Sequence, residues 1–138
     1  MHRGLVVAVL TRNEHCPPHV HTGTDQWNAR FEFSFWHNGI RLWDAVPAHK
    51  MPCATLFEEL RQVLKQGSNL KRARDLWWRS SQTLCLNNQQ WDPIAREVVS
   101  RAEKRFGALD IQSGLFDTLR DTTVLMLAGQ TLPMEIEL

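Results

Sequence analysis

The sequence predicts an α+β fold: a small N-terminal antiparallel sheet containing a β-hairpin, followed by three to four packed helices. Three observations predict it. Apolar residues alternate with polar ones between Arg30 and Val46, the apolar period lengthens to that of a helix after Pro52, and strand-like segments precede helix-like ones along the chain.

Leu5, Val6, Val7, Ala8, Val9 and Leu10 form a run without polar alternation, which reads as a strand covered on both faces and central in its sheet. Pro17 and Pro18 forbid helix and hold the next segment extended. Phe31, Phe33 and Phe35 then alternate with Arg30, Glu32 and Ser34, and Asn38 and Gly39 precede Ile40, Leu42 and Val46. Asn followed by Gly accepts the positive φ angles of a two-residue type I′ turn, so a tight hairpin is expected. Register follows by counting. With His37 paired to Ile40, Phe35 faces Leu42, Phe33 faces Asp44 and Phe31 faces Val46, which puts Asp44 on an apolar face. Trp36 and Trp43 fall on the opposite side beside Arg30, Glu32 and Arg41.

Leu56, Leu60, Val63 and Leu64 form a helical stripe, with Thr55 and Glu58 as a capping box and Gly67 as its stop. A second helix, capped by Ser68 or Asn69, runs through Leu70, Ala73, Trp77 and Trp78. Asp92 as N-cap, Pro93 at the first helical position, and Ile94, Val98, Ala102 and Phe106 at steps of four predict a third, ended by Gly107. From Asp110 onward, Leu115, Leu119 and Val124 to Leu127 indicate a shorter helix or strand, and Leu132 to Leu138 a last strand or tail. No repeat, low-complexity tract or long linker divides the chain, so residues 1–138 read as one α+β domain.

With 138 residues, 43% of them hydrophobic and 22% charged, the chain can bury a core and is neither disordered nor fibrous. A formal charge of +1 supplies no global attraction for nucleic acid or anionic lipid, so any such binding must come from a local patch. Cys16, Cys53 and Cys85 are odd in number and widely spaced, which reads as three reduced thiols in a cytoplasmic protein. The apolar run from Leu5 to Leu10 falls far short of the roughly 20 residues that a membrane span requires.

The concentrated chemistry is the run His15, Cys16, Pro17, Pro18, His19, Val20, His21. His19 and His21 are two apart on extended chain, so their imidazoles project to one side, and the prolines fix the path back to His15. Three such rings suit a divalent transition metal, and three protein ligands with an open position are what metal-assisted hydrolysis uses. Asp44 and Glu14 are then the candidate catalytic bases, and Cys16, Asp25 and Asp44 the candidates for a fourth ligand. Two other readings stand beside this one: acid–base work without metal, and histidines that simply bond the backbone of a rigid proline turn. Further along, Arg61, Lys65, Lys71, Arg72, Arg74 and Arg79 outnumber Asp75, and Trp77 and Trp78 add stacking surface. Arg72, Arg74, Trp77 and Arg79 are accordingly candidate nucleic-acid or partner contacts.

The string Glu14, His15, Cys16, Pro17, Pro18, His19, Val20, His21, followed by a hairpin and a helical segment ending in tryptophan, resembles a family of small bacterial proteins, the domain of unknown function 4160. The resemblance covers roughly residues 5 to 80 and rests on a His-x-Pro-Pro-His-x-His signature. It implies that His15, Pro17, Pro18, His19 and His21 carry the family's character, with Trp77 or Trp78 as the aromatic helix end. It also implies a locus of toxin–antitoxin type, since members are often encoded beside small partner genes; the family's activity is itself unassigned. Residues 81–138 continue beyond the usual end and are expected as a helical C-terminal extension.

The expected function is that of an accessory or regulatory protein acting through macromolecular contacts. The alternatives are a metal-dependent hydrolase or nuclease using His15, His19 and His21, and a nucleic-acid-binding module working through the basic helix 61–79. The expected partners are another protein, nucleic acid or a second copy of the chain, with no membrane.

Overall fold

The computed structural model of the protein describes residues 6–8, 15–47 and 53–138. Glu14 and most of the run from Leu5 to Leu10 lie outside these residues. Among those described, the elements in chain order are β1 (Val6–Ala8), β2 (His19–Gly23), β3 (Asn28–Glu32), β4 (Arg41–Val46), α1 (Ala54–Lys65), α2 (Gly67–Ser81), β5 (Gln89–Asp92), β6 (Glu97–Ser100), β7 (Leu109–Asp117), β8 (Thr122–Leu127) and β9 (Met134–Glu137). The described residues divide into two compact units, the first made of residues 6–8, 15–34, 38–47 and 53–81 and the second of residues 35–37 and 82–138.

In the first unit the antiparallel sheet runs β1-β2-β3-β4. Among the described residues β1 is therefore an edge strand, not the central one expected from its apolar composition. His21 pairs with Arg30, and Arg30 in turn with Asp44. The ladder slips between Arg30 and Phe31, since Phe31 pairs with Leu42, and Trp43 becomes the extra residue of a β-bulge. Val20, Ala29 and Phe31 are buried, and the ring of Phe57 on α1 meets Phe31 at 6.4 Å and Trp27 at 5.7 Å. Burying a side chain of that size contributes roughly 1.5–3 kcal/mol, which is what holds the helix to the sheet.

The two helices follow the predicted periods with local differences. α1 buries Phe57, Leu60 and Leu64, while Glu58 bonds Arg61 and Gln62, and Cys53 stands at the N-cap without a side-chain bond. Gly67 opens α2 instead of ending α1, and the Asn69 amide donates to the Val63 carbonyl, which also accepts the Gln66 N–H at the end of α1. On α2, Leu70, Ala73, Arg74 and Trp77 form the buried stripe.

The hairpin of β3 and β4 exists, but its register and turn correct the reading from sequence. Phe31 faces Leu42, not Val46; Asp44 faces Arg30, not Phe33; and the connection runs from Phe33 to Ile40. Its polar groups are taken up elsewhere. The Phe33 N–H donates to the Pro18 carbonyl, and the Arg74 guanidinium donates to the Ser34 carbonyl and to Asn38 Oδ1. With the Asn38 side chain so engaged, Asn38 and Gly39 form no hydrogen-bonded turn. Trp36 lies outside the strands.

The largest correction concerns the second unit, where a helical extension was expected and a five-stranded antiparallel sheet, β6-β5-β7-β8-β9, is found. Among the described residues the chain has two helices, not three to four. The misreading turns on Asp92 and Pro93. Aspartate before proline opens a type I turn as readily as a helix, and here Asp92 Oδ1 accepts the N–H groups of Ile94 and Ala95 at 2.9 and 3.0 Å. Arg96 takes a positive φ, the chain reverses, and Asp92 pairs with Glu97. The supposed stripe dissolves: Ile94 and Phe106 are exposed, while adjacent Val98 and Val99 are both buried, as in a strand with two covered faces. Within this unit Phe35 packs edge-on against Phe116 at 5.0 Å, and Thr123 Oγ1 donates to the Phe35 carbonyl.

Cys53 carries a free, exposed thiol, whereas Cys85 is disulfide-bonded, which corrects the reading of three reduced cysteines. Among the described residues no helix is long and apolar enough to cross a membrane.

Candidate functional site

One face of the first unit's sheet gathers His19, His21, Arg30, Trp43 and Asp44. Alternation along β2 puts both imidazoles on that face, and the cross-strand pairs of His21 with Arg30 and of Arg30 with Asp44 extend the row. The bulge adds Trp43, because two successive residues of a bulged strand oppose a single partner.

His19 is at the bottom of this group, 1% exposed. Its Nδ1 donates to the Pro17 carbonyl at 2.8 Å, since a carbonyl can only accept. The ring meets His21 at 4.9 Å, Trp43 at 5.1 Å and, from α2, Trp77 at 5.4 Å. A residue so enclosed by rings and tied to the backbone two positions earlier fixes the path of the proline segment. His21 is half-buried, and its Nδ1 lies 3.4 Å from Asn28 Oδ1.

Arg30 grips Asp44 at two points, through Nε to Oδ1 at 2.7 Å and through Nη2 to Oδ2, and its guanidinium lies 4.0 Å over the Trp43 ring. The hydrogen bond from Arg30 holds the Asp44 carboxyl below its ordinary value; burial opposes this, and the charges of Arg30, His19 and His21 add to it. A carboxylate stabilised in its charged form and engaged at both oxygens is a weak proton acceptor, which tells against Asp44 as a general base.

The remaining predicted residues are dispersed. His15 is exposed, Glu14 lies outside the described residues, and among the described residues no three His, Cys, Asp or Glu side chains are grouped as a metal ion requires. On α2, Arg72 and Arg79 are exposed, but Arg74 and Trp77 are each 1% exposed. Arg74 serves the Ser34 carbonyl and Asn38, so these two face the interior and do not extend a basic surface. Lys71 is paired with Asp75 at 3.1 Å and Arg61 with Glu58 at 2.7 Å, which reduces the free charge of the helix further. Sequence reasoning missed the role of Arg30. Its signal was available only through the pairing of β2 with β3, which local periodicity does not reveal.

No protein-family model matches the chain, and no curated protein or solved structure matches it.

Proposed function

We propose that the protein is a non-enzymatic accessory or regulatory protein that acts through contacts with another protein. The observation that supports this reading is the exposure of large apolar side chains on the turns of the second unit: Ile94 at 76%, Phe106 at 90%, Leu119 at 95% and Leu132 at 78%. Side chains of this kind supply the apolar centre of a protein interface, each contributing roughly 1.5–3 kcal/mol when water is removed from it. The histidine segment supports the same reading from the other direction, because the His19 ring is enclosed and the Asp44 carboxylate is engaged by Arg30. The resemblance to a family encoded beside partner genes agrees with it.

Affinity capture with the wild-type chain and with Phe106→Ser/Leu119→Ser, read by quantitative proteomics, tests the proposal. A partner depleted about tenfold by the double variant at unchanged melting temperature is expected. Equal recovery by both chains contradicts it.

One observation favours the rival, a metal-dependent hydrolase or nuclease: the His19 and His21 rings share a face with their centroids 4.9 Å apart. That reading requires stoichiometric transition metal in untagged protein, lost in His19→Ala and His21→Ala.

A further inference from the structure

We propose that a cleft in the second unit binds an extended, uncharged peptide segment of a partner as an added β-strand. The cleft has a volume of about 690 Å³, within the range of built ligand sites, and lies between segment 82–88, Arg101 and residues 111–114 of β7.

Its wall is the edge of a strand. β7 pairs with β8 from Ile111 to Asp117, but among the described residues it pairs with β5 only at Leu109 and Asp110. Past Asp110, β5 has diverged into the turn at Asn87 and Asn88, so β7 continues with one neighbour instead of two, and this stretch lines the cleft. The ladder with β8 shifts between Ile111 and Ser113 and leaves Gln112 as a bulge, so this edge is irregular there, and the main-chain N–H and C=O groups flanking the bulge are the ones offered to an extended peptide.

The floor and rim specify the peptide. Leu84 and Leu86 are seated directly over Gly114, where a Cβ would come within 2.8 Å of a methyl of each, so the glycine lets segment 82–88 lie flat on the sheet. That segment holds its shape with three non-glycine residues in the left-handed region, Gln82, Cys85 and Asn88, at φ of 54°, 61° and 63°. Strain of this kind is characteristic of preformed binding sites. On the rim, Asn87, Asn88 and Gln112 are exposed amides, each offering a donor and an acceptor, beside the Ser113 hydroxyl. The cation in the lining, Arg101, is neutralised by Asp110 at 3.3 Å. A wall of main-chain groups and a mainly polar, charge-balanced lining of amides and a hydroxyl, with Leu84 packed beneath, match neutral peptide backbone with small polar side chains.

The test is selection of random decapeptides by display on the full chain, followed by fluorescence anisotropy of the most enriched peptide. Asn87→Trp and Ser113→Arg each add a large side chain at an exposed position of the cleft lining, and an unchanged melting temperature is required of both before binding is compared. Uncharged peptides are expected to be enriched, to bind about tenfold more weakly to either variant, and to shift the amide resonances of residues 111–114. Selection that yields no binder overturns the proposal, as do binders indifferent to both variants. An oligosaccharide from a glycan array, bound by the wild type and lost in Ser113→Arg, also overturns it and assigns the cleft to sugars. The residues differ from those of the exposed turns, so peptide binding and partner capture fail separately, and loss of one does not remove the other.

Discussion

Arg30 on β3 holds Asp44 on β4 with two hydrogen bonds across a bulge, and the same guanidinium lies 4.0 Å above the Trp43 ring that the bulge turns toward it. One residue insertion in the ladder thus places an ion pair and an aromatic surface together. Its electrostatic part is sensitive to acid.

The sign of that sensitivity follows from the Asp44 carboxyl, whose value in the folded chain is held below the ordinary 3.8 by the hydrogen bond from Arg30. Its contribution to stability is complete above 3.8 and is lost as pH falls through the lower folded value. Asp44→Asn is expected to lower the melting temperature at neutral pH, with the gap to wild type closing as pH falls below 3.8. The gap is small because the two side chains keep 32% and 36% of their exposure, and water screens the pair. Thermal unfolding followed by circular dichroism across that range checks it. A pH-independent gap contradicts the assignment.

His19 should behave as a packing residue. Truncation in His19→Ala removes a fully buried ring from contact with His21, Trp43 and Trp77, and is expected to cost about 2–4 kcal/mol. His19→Phe keeps a ring but loses the donor to the Pro17 carbonyl, with an expected cost of about 1 kcal/mol. Denaturant titration of both variants distinguishes this from a surface histidine, for which neither change matters.

Arg74 separates the interior from the basic surface. Arg74→Ala removes the donors to the Ser34 carbonyl and Asn38 and leaves a cavity, with an expected loss of about 3 kcal/mol or more. Arg72→Ala, on the exposed side, is expected to stay within about 0.5 kcal/mol of wild type. Equal effects in denaturant unfolding contradict the burial of Arg74.

What the sequence made legible was local. The periods of α1 and α2, and the common face of His19 and His21 on extended chain, could be read because each depends on residues a few positions apart. The rest depended on partners distant in the chain. Asn38 and Gly39 encode a tight turn in isolation, but Arg74, thirty-six residues on, draws the Asn38 side chain away. Asp92 and Pro93 satisfy the rules of a helix start and of a turn alike, and the choice was made by pairing Gln89–Asp92 with Glu97–Ser100, which spacing at steps of four obscures. Arg30 became a site residue only through its cross-strand neighbours.

Gly114 is expected to resist enlargement. In Gly114→Ala the new methyl meets Leu84 and Leu86 at 2.8 Å and Leu125 at 3.0 Å, all side-chain ends that must move, and the expected cost is about 1–3 kcal/mol. Adding Leu84→Ala should return part of it. Additive losses in the double variant, measured by urea unfolding, contradict the close seating of segment 82–88 on β7.

The central claim is that the second unit's exposed surface, and not the histidine run, carries the activity. It is tested most directly by comparing partner recovery between His19→Phe/His21→Phe and Phe106→Ser/Leu119→Ser at matched folded concentration. Recovery kept by the histidine variant and lost by the turn variant is the predicted result. Recovery lost by the histidine variant and kept by the turn variant contradicts the account.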